Sequence, residues 1–143
     1  RDRSYIFFQK EGLTMTAVKH EWRKHEKELY CPKQQAVQVT VPSMKFLVLD
    51  GAIINVSKKK SLSRFKDVRL ESIEDGDCVQ ILHVGPYDDE PESFMKVDEF
   101  CAAHNLQRAN DEWHREIYLS DARKVEPAKL KTVLRVQVKS MQF

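Results

Sequence analysis

A glutamate and a tyrosine two residues apart, Glu116 and Tyr118 in HREIYLSD (114–121), are the side chains of this sequence best spaced for chemistry. If 115–120 runs as a strand, alternation puts Arg115, Ile117 and Leu119 on one face and Glu116 and Tyr118 on the other. A carboxylate beside a phenol on a half-buried sheet face can bind a cation. It can also act as a general acid or base where burial disfavours its charged form. The same pattern fits an exposed polar face of a surface strand.

Other combinations of reactive residues fail on geometry. His20-Glu21 and His25 resemble a zinc-protease motif, but histidines five apart stand about 140° apart around a helix and cannot share an ion. Cys101 and His104 are three apart on a predicted helix, with no second pair spaced to complete a tetrahedral site. His83 reads as a satisfied core histidine. No G-x-S-x-G, P-loop or dinucleotide fingerprint occurs, which removes the commonest hydrolase, nucleotidase and dehydrogenase readings. No metal and no organic cofactor is expected.

The chain of 143 residues has the length of one domain, and 41% hydrophobic residues are enough for a core without staples. Its 24 basic and 22 acidic residues nearly cancel, so nucleic acid is not the expected partner. No apolar run approaches the length of a membrane span. Three cysteines without a C-x-x-C pair argue against a disulfide scaffold and fit a reducing cytoplasm.

The elements that must hold Glu116 and Tyr118 follow from periodicity. Residues 1–18 show no clear period and read as an extension, flexible or foreign to the domain, which then occupies 19–143. KHEWRKHEKELY (19–30) predicts a short amphipathic helix stopped by Pro32. AVQVTV and MKFLVLD, around Pro42-Ser43, predict two strands or one interrupted strand. The basic stretch 57–66 reads as a solvated linker. VRLESI and CVQILHV flank Asp75-Gly76, a hairpin signal, and the second run is apolar on both faces, as a central strand is. Asp89-Glu90-Pro91-Glu92 opens a helix over 89–104 with the stripe Phe94, Val97, Cys101, His104, closing at Asn105 with Leu106 as its clasp. REIYLS, a proline-led turn at 127–131 and TVLRVQV complete an α+β layer, an antiparallel sheet covered by one principal helix. Residues 68–139 are expected to form one sheet, with Ile117 and Leu119 facing the helix and Glu116 and Tyr118 on the opposite side.

The segments 19–32, 68–100 and 114–139, which include EDGDCVQILHVGPYDDEP and HREIYLSD, resemble in order the GyrI-like small-molecule-binding family, particularly its stand-alone bacterial members. The resemblance implies two strand-helix-strand-strand units with a ligand cleft between their sheets. Relatives serve as effector-binding domains of multidrug-responsive regulators, as gyrase inhibitors, or as hydrolases that detoxify cyclopropanoid compounds. By this resemblance Glu116 lies in the cleft with Tyr118 beside it, both as catalytic candidates. Tyr87 and Glu90 of GPYDDEP join them as ligand-binding candidates at its rim, Glu90 also being suited to face the helix dipole. The implied partner is a small ligand, cationic or aromatic. A homodimer, or a gyrase or regulator partner, is compatible with the same resemblance. The first unit reads as incomplete, reduced to a hairpin at 36–50, as if a segment near 55–57 were missing.

Overall fold

The structure is a computed structural model that describes residues 5–8, 21–49 and 68–142. It divides into two compact units, one made of residues 1–18 and 42–74, the other of 19–41 and 75–143. The linker expected at 57–66 and the gap expected near 55–57 lie outside the described residues.

The first unit contains strands β1 (Tyr5–Phe8), β3 (Met44–Leu49) and β4 (Arg69–Ile73) in the order β1-β3-β4, all antiparallel. Phe46 and Val48 alternate into its buried side. The stretch set aside as an extension thus supplies a strand to this sheet.

The second unit is built on β5 (Gly76–Val84), flanked by β2 (Val37–Val41) and β8 (Lys131–Ser140). The far edge of β8 is shared by two short strands, β6 (Leu106–Arg108) and β7 (Arg115–Tyr118). Helix α3 (Glu90–Ala103) covers one face. There Val79 and Ile81 of β5, Leu134, Val136 and Val138 of β8, and Leu106 pack against Val97 and Cys101, with Phe94 and Phe100 at the margin. This is the expected meeting of a period-2 face with a 3.6-period stripe, and it removes apolar surface from water.

The ends of α3 follow local chemistry. Pro91 sits in its first turn, where a missing N–H costs nothing, and one turn of 3₁₀ helix, Tyr87–Asp89, leads in. At the other end Asn105 takes a left-handed φ of 54°. Buried Leu106 then starts β6. His104 is exposed, stacked on Phe100 and bonded to the Phe100 carbonyl, while Cys101 is in the core. The two do not form a ligand pair.

Several expectations are corrected. The Asp75-Gly76 signal does not close a hairpin: β4 pairs with β3 and β5 with β2 and β8, so the chain changes sheets at Gly76, whose φ of +62° suits a sharp redirection as well as a hairpin. Residues 68–139 therefore do not form one sheet. Likewise 36–50 is no hairpin, because Pro42-Ser43 separates β2 and β3 into different sheets. The helix expected over 19–30 is two single-turn helices, α1 (Trp22–His25) and α2 (Lys27–Tyr30), broken at Glu26. The face assignment is also reversed. Glu116 pairs with Leu134 and Tyr118 with Thr132, and Leu134 faces α3, so Glu116 and Tyr118 lie on the helix face.

Ile117 and Arg115 project to the second face, where Val133 and Cys78 are buried beside a polar cluster. Gln80, Arg135 and Arg115 stand side by side across β5, β8 and β7. Arg115 makes a two-bond fork to Asp75, both distances 2.6 Å. Arg135 donates to Gln80 Oε1 and to the Leu29 carbonyl, and Gln80 donates to the Glu28 carbonyl. These bonds tie α2 onto the sheet, with the Tyr30 ring 6.0 Å from the Arg135 guanidinium. Burial raises the Tyr30 phenol and lowers Arg135.

The three cysteines are free, and only Cys31 is exposed. Burial pushes the Cys78 thiol up to about 12 and raises that of Cys101 as well. One thiol per folded chain should therefore react quickly with a disulfide reagent at mildly alkaline pH, and three after denaturation. Two fast thiols in the folded protein would contradict this packing.

Candidate functional site

The site grows from the short edge strand β7. Pairing to β8 sets Glu116 beside Leu134 and Tyr118 beside Thr132, in line with Ile81 and His83 on β5. An apolar floor therefore lies under Glu116, and the first turn of α3 stands next to it. His114, two residues upstream, continues the alternation to the same face.

Glu116 is only 13% exposed and receives a hydrogen bond at each oxygen. The His114 Nε2 group lies 2.8 Å from Oε1, and the Tyr118 hydroxyl donates to Oε2. Two donors stabilise a carboxylate as an anion, against the desolvation that opposes it. The surrounding rings fix both donors. Phe94 packs at a steep angle on His114, centroids 4.6 Å apart, and Tyr87 meets Tyr118 edge to face at 5.6 Å. Arg108, held in a fork by Asp98, lies over the Phe94 ring.

Glu90 is the first residue of α3 and is buried. A carboxylate there is favoured by the helix dipole, as expected, yet Asp89 at the N-cap makes no side-chain capping bond. The same position brings a Glu90 oxygen within 4.8 Å of ligand atoms of His114 and Glu116. Four residues expected from the sequence, Tyr87, Glu90, Glu116 and Tyr118, are thus assembled on one end of one sheet face. His114 was missed, although extending the strand alternation by one step upstream would have found it.

His83 contributes structure. Its Nδ1 faces Ser93 Oγ and its Nε2 faces the Pro86 carbonyl, both at 2.9 Å, so the ring has a partner on each side and fastens the turn before α3 to β5.

A family model described as the GyrI-like small molecule binding domain matches residues 52–139. The chain belongs to this GyrI-like family. Three solved structures from Listeria innocua share the fold. One described as a hydrolase has a TM-score of 0.70 and 23% identity, over 82% of this chain and 98% of that one. An uncharacterized conserved protein has a TM-score of 0.70 and 22% identity, with the same coverage. A second described as a hydrolase has a TM-score of 0.68 and 22% identity, again with that coverage. No curated protein matches the chain. The GyrI-like match spans β4 to β8 and includes Tyr87, Glu90, His114, Glu116 and Tyr118. The chain therefore carries a small-molecule-binding domain of mixed α+β architecture. Among its described residues no helix is long and apolar enough to cross a membrane.

Proposed function

We propose that this GyrI-like domain binds small, partly apolar molecules that carry positive charge, with Glu116 as the anionic anchor and Tyr118 and Tyr87 as aromatic neighbours. The observation that carries this reading is the environment of Glu116, a largely buried carboxylate with donors on both oxygens and tyrosines at its side. An ionised carboxylate held in a largely buried setting beside aromatic rings suits an organic cation better than a neutral ligand.

Titrating the protein with a lipophilic organic cation and its neutral isostere tests the reading. A charged hydrogen-bonded or ion-paired contact is worth about 1.5–3 kcal/mol, so the cation should bind about tenfold or more tightly. Equal affinity for the two would contradict it.

Hydrolysis of a strained cyclopropanoid ring is the second reading. It is favoured by the proximity of a second carboxylate, Glu90, to Glu116, and two of the solved relatives are described as hydrolases. In that version Glu116 takes a proton from the water whose oxygen bonds to a ring carbon as the strained C–C bond breaks, the Tyr118 hydroxyl turns from Glu116 to donate a hydrogen bond to the anion that develops, and Glu116 returns the proton to the released carbon. The donors on Glu116 reduce its basicity, which is why binding comes first here. Ring opening of a cyclopropanoid compound that falls about a hundredfold in Glu116→Gln would establish the hydrolytic version.

A further inference from the structure

We propose that the domain also holds a divalent transition-metal ion, between His114 Nε2, Glu116 Oε1 and a carboxylate oxygen of Glu90. This goes beyond the organic-cation reading and does not rest on it.

The three ligand atoms come from separate points of the fold. Glu90 stands at the start of α3, His114 on the approach to β7, and Glu116 within β7. One ligand atom from each of the three residues lies within 4.8 Å of those of the other two. The distance between His114 Nε2 and Glu116 Oε1, 2.8 Å, suits two ligands of one ion. With bonds of about 2.1 Å, atoms so spaced subtend about 85° at the ion, close to the right angle between neighbouring ligands of an octahedron. Opposite ligands of such an ion stand about 4.2 Å apart, so a Glu90 oxygen within 4.8 Å of the other two needs only a small shift to join them.

The setting is also that of a ligand shell. The ring packing of Phe94 on His114 limits how the imidazole can turn. The Tyr118 hydroxyl occupies the outer Glu116 oxygen and so directs Oε1 toward the other two ligands, as an outer-shell donor orients a metal-bound carboxylate. When the ion binds, the hydrogen on the Nε2 of a neutral His114 moves to Nδ1, and the lone pair freed at Nε2 becomes the ligand. One imidazole with two carboxylates selects zinc, manganese or iron(II) over magnesium or calcium, which take oxygen ligands. Two carboxylates against one dication leave the filled site neutral, which suits its burial.

Calorimetric titration of the full chain with zinc or manganese chloride, beside magnesium chloride, reads this out. One zinc or manganese ion per chain is expected, with magnesium bound far more weakly. Glu90→Gln and His114→Gln should each weaken binding about tenfold or more, and Tyr118→Phe by a similar factor through loss of orientation. Cys31→Ser should leave it unchanged, because an exposed thiol is the obvious adventitious ligand. Binding that survives the Glu90 and His114 changes, or is lost with Cys31, overturns the proposal, as does the absence of binding at millimolar metal. Should the variants not fold, the wild-type protein decides: substoichiometric manganese must broaden the ring-proton resonances of His114 and Phe94 first. Earlier broadening at His25 would place the ion elsewhere.

Discussion

Arg115→Ala should destabilise the protein by about 3–5 kcal/mol, the usual cost of removing one member of a buried ion pair. The Asp75 side chain is 3% exposed and that of Arg115 13%, so the variant would leave a carboxylate in the interior without its two-bond partner. The effect extends further, because the Asp75 carbonyl accepts from Gln137 and the neighbouring strand position is Arg135. Chemical denaturation followed by circular dichroism measures the change as a lower midpoint with an unaltered slope. The pair Asp121–Arg123 provides the contrast. It is equally well formed, and Arg123 holds the Asp121 carboxyl down to about 2, yet both groups face solvent, so Arg123→Ala should leave the midpoint unchanged. A loss below about 1 kcal/mol in Arg115→Ala would mean that water screens the Asp75 pair as it screens a surface one. Replacing both partners together, Asp75→Asn with Arg115→Met, should recover much of the loss, because no charge is then left buried and unpaired.

The buried polar face also explains what the sequence could not disclose. Alternation identifies Glu116 and Tyr118 as neighbours and Ile117 as their opposite, which the structure bears out. It does not say which of the two faces meets α3. The assignment of Ile117 to the helix relied on apolarity, whereas the register Glu116↔Leu134 is set by the pairing of β7 with β8, a long-range fact. The polar cluster needs Asp75 and Gln80 to meet Arg115 and Arg135 from three separate segments, and nothing local marks them as partners. The missed sheet change at Gly76 has a similar cause: Asp-Gly permits a positive φ, but the strand that follows is chosen by distant partners.

By contrast, α3, β5 and β8 were legible because each carries a long, consistent period, and β6, three residues long, was not. The site follows the same rule. Glu116 and Tyr118 could be read from one strand, and Tyr87 and Glu90 from the segment that resembles the family. His114 required treating the residue before the strand as part of it. That Glu90 serves both the start of α3 and the group around Glu116 is visible only when the helix has been laid on the sheet.

The proposed selection of charged ligands rests on Glu116 as a largely buried carboxylate, and Glu116→Gln tests that role most directly. Glutamine keeps the size of the side chain and can still accept from Tyr118, but it removes the charge and one acceptor oxygen. The measurement is the ratio of affinities for a lipophilic cation and its neutral isostere, in wild type and variant, at one salt concentration. The cation should lose about 10–100-fold on substitution, the scale of a hydrogen bond to a charged group, while the neutral compound changes little, so that discrimination disappears. Preference for the cation retained at its wild-type ratio would contradict this role and would place the charge-selecting group outside the Glu116 cluster.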